Sequence, residues 1–354
     1  MRLLLDARKI EDYGIGVYIR HVFGGLLEQP FFEDIRVIHL AGKERLAVPR
    51  QKEIRAHYAN YDPREQLEIP WKCRHLKGYY YFSPHYIFPL FLRQRLIVTV
   101  HDLIHFKFPA FFKPQVKVEI ARFFLRQIKS RAALVFTVSR QTAADLAEMF
   151  SIPMDKIRII YNGVADTFFQ TPPFASPYLF PYIIYVGNWK PHKNIITLLQ
   201  AFRFISTLHP DLRLVLIGLA PRPAVQKEIS RLNLNEKCLL LGYLPQPEVI
   251  RYLDGACLFV FPSLYEGFGL PPLEAMARGR AVISSPAGSL REVLADAALY
   301  FDPTSAEDLA AKIDLLLSDE SKRHSYEKKG RQRSSLFRWP EAVARHVHFL
   351  QDLE

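Results

Sequence analysis

Short runs of β-branched and leucine-rich residues, each followed by a longer stretch of helical periodicity, recur along this chain in two series, and that alternation constrains its fold more than any other feature. The first series comprises residues 3–5, 35–40, 96–100, 134–138 and 157–160; the second comprises 182–186, 212–217, 239–241, 258–261, 281–284 and 299–301. Strands alternating with helices predict parallel sheets covered on both faces, whose buried strands read as continuous apolar runs. Between the two series, residues 166–181 carry Pro172, Pro173, Pro177 and Pro181. Proline removes a backbone donor and breaks both helices and central strands, so this segment is predicted to be a linker. The expected organisation is a domain over 1–165, the linker 166–181, a second domain over 182–338, and a closing helix within 339–354, where Val343, Val347, Phe349 and Leu350 have helical spacing. A chain of 354 residues also suits two domains at roughly 150 residues each. In doubly wound sheets the ligand site lies outside the carboxyl ends of the strands.

The formal net charge of +11 is unevenly shared, with +9 on residues 1–180. A basic half favours an anionic partner, whether phospholipid headgroups, a lipid diphosphate or nucleic acid. No nucleic-acid-binding motif accompanies the charge, so nucleic acid is not an expected partner. Within residues 111–131, Arg122, Arg126 and Lys129 fall on one helix face and Val116, Ile120, Phe123 and Phe124 on the other. A basic amphipathic helix over 113–131 suits an anionic membrane surface, and it equally suits a helix that covers the sheet and solvates its cationic face. No apolar run approaches the ~20 residues that cross a bilayer. Asp6 interrupts the first apolar segment before a signal-peptide core forms, so the expected location is cytoplasmic, with peripheral contact at the inner membrane face as an extension. Cys73, Cys238 and Cys257 are odd in number and lack CxxC spacing. They predict neither a disulfide framework nor a zinc site, and all three are expected to be buried small hydrophobes.

The segment most specific for chemistry runs from Phe261 to Met276 and reads Phe-Pro-Ser-Leu-Tyr-Glu-Gly-Phe-Gly-Leu-Pro-Pro-Leu-Glu-Ala-Met. It is a buried strand, a turn bearing Gly267 and Gly269, and a helix opened by prolines, whose missing N–H groups are not needed in a first turn. The turn's N–H groups and the helix dipole make an anion-binding site. Glu266 and Glu274 flank that turn, so one carboxylate can address a sugar and the other a ribose. Helix capping and chain reversal account for these residues singly, but poorly for the joint pattern.

This segment resembles the E-x(7)-E motif of the retaining family-4 glycosyltransferases, including the surrounding PS-x-x-EG-x-G-x-P-x-x-EA frame. The resemblance implies the GT-B architecture: an α/β fold of two Rossmann-like doubly wound domains facing each other across a cleft. The N-terminal domain would bind the acceptor and the C-terminal domain the nucleotide sugar. The stretch Tyr185-Val186-Gly187-Asn188-Trp189-Lys190-Pro191-His192-Lys193-Asn194 is similar to the family's first C-domain strand and loop. Its Lys193 matches the lysine that holds the donor diphosphate, where it would neutralise charge growing on the leaving group. Many relatives carry an arginine near Asn188; this sequence departs there, which leaves Lys190 or His192 to supply a second positive charge. Tyr243 and Leu244 match a strand end whose backbone reads the nucleobase. Glu266, Gly267, Phe268, Gly269 and Leu270 would contact the donor, with Glu266 orienting hexose hydroxyls and Glu274 accepting hydrogen bonds from the ribose.

In the first domain, His101 looks like the family's strand-end histidine, which approaches the transferred sugar. His85 and Asp102 are candidates for the acceptor side. Gly14-Ile15-Gly16 resembles the loop that closes over the donor phosphates; with Ile19 where a third glycine would stand, it does not read as a dinucleotide site. Residues 161–164 resemble the turn ending the family's N-domain, and residues 337–342 the start of a final helix that crosses back to it.

The implied reaction moves a hexose, with retention of anomeric configuration, from a nucleotide-diphosphate sugar to a saccharide or lipid-linked saccharide in surface polysaccharide synthesis. GDP-mannose is the first guess for the donor. No Asp-x-Asp pair occurs, so no metal and no other cofactor is expected. The alternatives are another enzyme of the same fold, such as a nucleotide-sugar epimerase or a phosphorylase, and a non-catalytic sugar-nucleotide-binding scaffold.

Overall fold

A computed structural model of the protein describes residues 1–111, 115–170, 173–218 and 223–353. Pro172 of the expected linker, residues 113–114 of the expected basic helix and residue 354 lie outside the described residues. The chain forms two compact units, one of Met1–Gly163 with Trp339–Glu354, the other of Val164–Arg338.

The first unit is built on a seven-stranded sheet of β1 (Arg2–Asp6), β2 (Asp34–Leu40), β3 (Glu53–Ala56), β4 (Tyr79–Ser83), β5 (Arg95–Val100), β6 (Ala132–Thr137) and β7 (Ile157–Ile159). All neighbours are parallel, in the order β3-β2-β1-β4-β5-β6-β7. The order reverses at β1, so the first crossovers diverge between β1 and β4 and open a crevice at their carboxyl ends. β1 is buried from Leu3 to Asp6 because helices cover both faces. β3 and β4 carry no β-branched run of the kind the other strands show. β4 is instead Tyr-Tyr-Tyr-Phe-Ser, all five residues buried, and the Tyr81 hydroxyl donates to Asp6 at 2.6 Å.

The second unit carries β8 (Tyr182–Val186), β9 (Arg213–Ile217), β10 (Cys238–Leu241), β11 (Leu258–Phe261), β12 (Ala281–Ser284) and β13 (Ala298–Tyr300) in the order β10-β9-β8-β11-β12-β13, again all parallel. Its reversal falls between β8 and β11. The described part of 166–181, which its prolines set apart as a linker, clusters with this unit. Arg278 anchors it: the guanidinium pairs with Asp254 at 2.7 Å and also bonds the carbonyls of Phe168 and Gln170.

Two expectations about side chains are corrected. The helix Gln115–Arg131 buries Val118, Ala121, Phe124, Leu125 and Ile128, a stripe of helical period, and leaves Val116, Ile120 and Phe123 exposed. Of the residues assigned to its apolar face, only Phe124 packs inward. Among the cysteines, Cys73 is buried, but Cys238 on edge strand β10 and Cys257 are only partly so.

Candidate functional site

In the second unit, the strands flanking the reversal end in loops that meet. β8 leads through Gly187 and Asn188 to Lys193, and β11 leads to Glu266; the Lys193 ammonium lies 2.5 Å from the Glu266 carboxylate, both side chains largely buried. A second contact joins the loops where the Leu264 N–H donates to the His192 carbonyl at 2.7 Å. Two residues separated by 73 positions in sequence thus share one spot at the carboxyl edge of the sheet.

Close backbone approach shapes this spot. Gly288 has φ 62°, and a Cβ there would stand 2.5 Å from the Glu266 carbonyl oxygen and 2.8 Å from its nitrogen. The next residue, Ser289, donates its hydroxyl to the carbonyls of Glu266 and Phe268 at 3.1 and 3.2 Å. At the neighbouring strand end Gly218, φ 85°, lies against Gly187, and its N–H donates to the Gly242 carbonyl at 2.9 Å. A side chain at either glycine would push the loops apart.

The helix Leu270–Ala277 starts after Gly269 with Pro271 and Pro272 in its first turn, and its free N–H groups face the same end of the sheet as β11's carboxyl end. Gly267 and Phe268 lie buried in the connecting turn, where the Phe268 ring meets Phe337 edge to face at 5.8 Å. Glu274 sits one turn into the helix, and burial pushes its carboxyl up to about 7. Tyr243 is exposed and Leu244 half-buried, in the turn before the helix Gln246–Gly255. Asn188, just past the end of β8, brings no charge; its side-chain oxygen is buried with no hydrogen-bond partner among the described residues. The Ser263 hydroxyl is in the same condition. Buried polar atoms of this kind cost stability unless something bonds them, so both are candidate ligand contacts.

In the first unit, β5 ends at His101. Its Nε2 lies 2.9 Å from the Pro84 carbonyl and must carry the proton, which leaves Nδ1 as a bare acceptor. Burial holds its pKa down to about 4, so the ring is neutral at physiological pH. Tyr18 fixes its orientation edge to face at 5.0 Å. The Tyr18 hydroxyl in turn lies 2.8 Å from both Thr99 Oγ1 and His346 Nε2. His346 Nδ1 is 2.7 Å from the Ala342 carbonyl, so Nδ1 holds the proton and Nε2 accepts from Tyr18. The helix Trp339–Gln351 thereby reaches the strand end bearing His101.

Asp102 caps its own loop, accepting the Ile104 N–H at 3.1 Å. His85 is buried, accepts the Ile87 N–H on Nδ1 at 3.2 Å, and lies against Tyr86 with ring centroids 3.9 Å apart. Gly14 and Gly16 correct the expectation of a glycine loop: they lie within the helix Tyr13–Tyr18, because the chain turns earlier, over residues 7–12. Gly16 is needed there since a Cβ would collide with the Ile10 carbonyl. Among the described residues, no group of three or more His, Cys, Asp or Glu side chains is placed to hold a metal ion, and no helix is long and apolar enough to cross a membrane.

Ser263 stood in the PS-x-x-EG frame without a role of its own, and Ser289, Tyr18 and His346 were not singled out from sequence. The small residues of 285–289 were the available signal for Ser289; nothing local marks His346, which acts across 328 positions.

Comparison with known proteins gives a consistent result. Residues 172–333 match the family described as Glycosyl transferases group 1, and residues 27–168 match Glycosyltransferase Family 4. An Escherichia coli protein named O-antigen chain mannosyltransferase B is 30% identical over 311 residues, covering 84% of this chain and 80% of that protein. Sucrose-phosphate synthase from Thermosynechococcus elongatus superposes with a TM-score of 0.80 at 23% identity, over 100% of this chain and 99% of that one. Anabaena Alr3699/HepE, solved in complex with UDP-glucose, gives a TM-score of 0.78 at 17% identity, over 99% of this chain and 100% of that one.

Proposed function

This chain belongs to the glycosyltransferases of group 1 and family 4, on the GT-B fold, and from that premise we propose that it is a retaining, metal-independent hexosyltransferase that takes mannose from GDP-mannose. The acceptor is a saccharide or lipid-linked saccharide of a surface polysaccharide. The observation that carries this reading is the Lys193–Glu266 pair, held between glycine-lined strand ends beside a helix N-terminus.

The chemistry follows from charge. As the sugar–phosphate bond breaks, negative charge grows on the diphosphate, and Lys193, helix N–H groups and loop N–H groups oppose it in a site largely closed to water. Glu266, released from Lys193 by the arriving phosphate, orients hexose hydroxyls. Glu274 accepts hydrogen bonds from the ribose. The acceptor oxygen attacks the anomeric carbon on the face the phosphate leaves; its proton passes to the departing phosphate oxygen, so no protein nucleophile is needed. In the first unit, His101, neutral with Nδ1 bare, is the candidate to accept a hydrogen bond from a sugar hydroxyl. The similarity to an enzyme named for mannose transfer in an O-antigen chain supports the choice of sugar and acceptor.

The test is transfer from GDP-mannose and UDP-glucose to a panel of oligosaccharide and polyprenyl-diphosphate acceptors, with the anomeric configuration of the product read by NMR and the rate repeated in EDTA. A β-linked mannoside, or loss of the rate in EDTA, overturns the reading.

The exposed face of the helix Gln115–Arg131 supports a peripheral membrane contact. Val116, Ile120 and Phe123, spaced at i, i+4 and i+7, are 59%, 40% and 47% exposed, beside exposed Lys117, Arg126 and Lys129. Apolar side chains ringed by cations match the interface of an anionic bilayer. Serine at all three apolar positions is expected to abolish sedimentation with phosphatidylglycerol vesicles; unchanged sedimentation refutes the contact.

A further inference from the structure

The ring of His101, at the end of β5, is held from more than one side of the first unit. Its Nε2 bonds the Pro84 carbonyl at 2.9 Å, and its own carbonyl accepts from Thr142 Oγ1 at 3.3 Å. A single hydrogen bond at one ring nitrogen leaves the plane free to pivot about that bond. The pivot is stopped by packing against Tyr18, with centroids 5.0 Å apart and planes at 86°. Any shift of the Tyr18 ring therefore re-aims the bare Nδ1.

The backbone carrying Tyr18 is unusual. The helix Tyr13–Tyr18 widens directly after it into a π-helical turn, Ile19–Phe23. Such turns are rare and gather at functional sites. Here the turn and the residue before it both meet the helix Trp339–Gln351. His21 stacks on Trp339 with centroids 4.7 Å apart and planes 5° apart, and the Tyr18 hydroxyl reaches His346 Nε2 at 2.8 Å.

Each proton of this contact has one place. With His346 Nδ1 donating to the Ala342 carbonyl, Nε2 accepts from Tyr18, and the Tyr18 oxygen accepts from Thr99 Oγ1 at 2.8 Å. Phe136 packs on the imidazole at 4.6 Å between centroids, and Tyr18, Thr99 and His346 are all buried. For stability alone, apolar residues of the same shape would serve nearly as well here. A directional bond adds a fixed ring position that apolar packing does not.

We propose that His346 is a positioning residue for sugar transfer: by accepting from the Tyr18 hydroxyl it locks the Tyr18 ring, and the locked ring sets the plane of His101 so that Nδ1 keeps one direction. The last helix of the chain is thereby a working part of the strand end that bears His101. That this direction governs transfer rests on the glycosyltransferase reading; the hold itself does not.

Steady-state kinetics and NMR of the histidine-labelled full chain test it, at a temperature where circular dichroism shows every variant folded. Y18F and H346L should each lower kcat about tenfold while the donor KM stays within about twofold, as misplacement rather than lost binding requires. The double variant Y18F/H346L should fall no further than the slower single variant, since both act through one bond. H346Q, whose amide oxygen can still accept from Tyr18, should recover most of the lost rate. In the spectra, the His101 Hε1 resonance, identified by its absence in H101N, should move in the same direction in Y18F and H346L and return toward its original position in H346Q. A merely structural role would move neither this resonance nor kcat. The proposal falls if either single variant turns over as wild type does, if the two losses multiply in the double variant, or if Hε1 stays in place in both. Slow transfer by H101N beside fast transfer by Y18F and H346L sinks this proposal alone, whereas full transfer by H101N retires the part given to His101 in the proposed function.

Discussion

The two sheets reverse their strand order in the same way but furnish the crevice oppositely. At the edge of the six-stranded sheet, Gly187, Gly218 and Gly242 bring bare backbone to the strand ends, and the charged furniture there centres on the Lys193–Glu266 pair. At the edge of the seven-stranded sheet, His85, Tyr86, His101 and Tyr61 crowd the strand ends with rings. Backbone N–H groups with one cation suit a diphosphate, which presents charge and oxygen atoms. Rings suit a ligand with C–H faces of its own. The shared layered fold fixes where a ligand can sit, and the side chains left at the strand ends decide which ligand.

Replacing Lys193 by alanine should break the division most sharply. Removal of one electrostatic partner of a leaving group commonly costs about 10²–10³ in rate, so K193A should lose transfer to that extent while the fold, read by Tm, persists. A matching fall in Tm would show that Lys193 holds the second sheet's loops together rather than the ligand. E266A should fall comparably, and the double variant little further, because the two groups act as one pair.

G288A comes next. Its Cβ would collide with the Glu266 backbone, at a cost of about 1–3 kcal/mol by denaturant unfolding and with a parallel loss of transfer. Y18F strands the buried His346 Nε2 without a donor. It should lower stability by about 1–3 kcal/mol, read as a drop in Tm of several degrees, without altering nucleotide binding. H346Q, which still offers Tyr18 an acceptor, should lose less than H346L.

Glu274 gives the smallest effect. With burial raising its pKa to about 7, the carboxylate that the proposed ribose contact requires predominates only above that pH. The donor KM should rise by about threefold or more from pH 8 to pH 6, and E274Q should flatten this dependence. Stability runs with the corresponding sign: the folded protein keeps a proton that the unfolded chain releases near the ordinary carboxyl value, so stability declines as pH rises toward 7 and then levels. E274Q should remove that decline as well.

Sequence periodicity located both sheets because most strands are β-branched and buried on both faces. It missed β4, whose three tyrosines put their hydroxyls to use in hydrogen bonds, and β3, a four-residue strand at the sheet edge. The motif around Glu266 was legible because its turn, prolines and carboxylates are local in sequence. The support behind His101 was not, since Tyr18 and His346 lie 328 positions apart and meet only after folding. The exposed Val116, Ile120 and Phe123 were misread for a related reason. A helix with apolar residues all round offers several stripes, and only the sheet beneath selects the one that is buried.

The division of the chain at Gly163 and Trp339 also orders events during synthesis. The first sheet leaves the ribosome early, yet the hydroxyl of Tyr18 has no histidine to meet, and Gly25 no Val343 to pack against, until all of the second unit has been translated. The unit that begins first is therefore finished last, and a nascent chain stalled before Trp339 would hold a completed second unit and a first unit still awaiting its final helix.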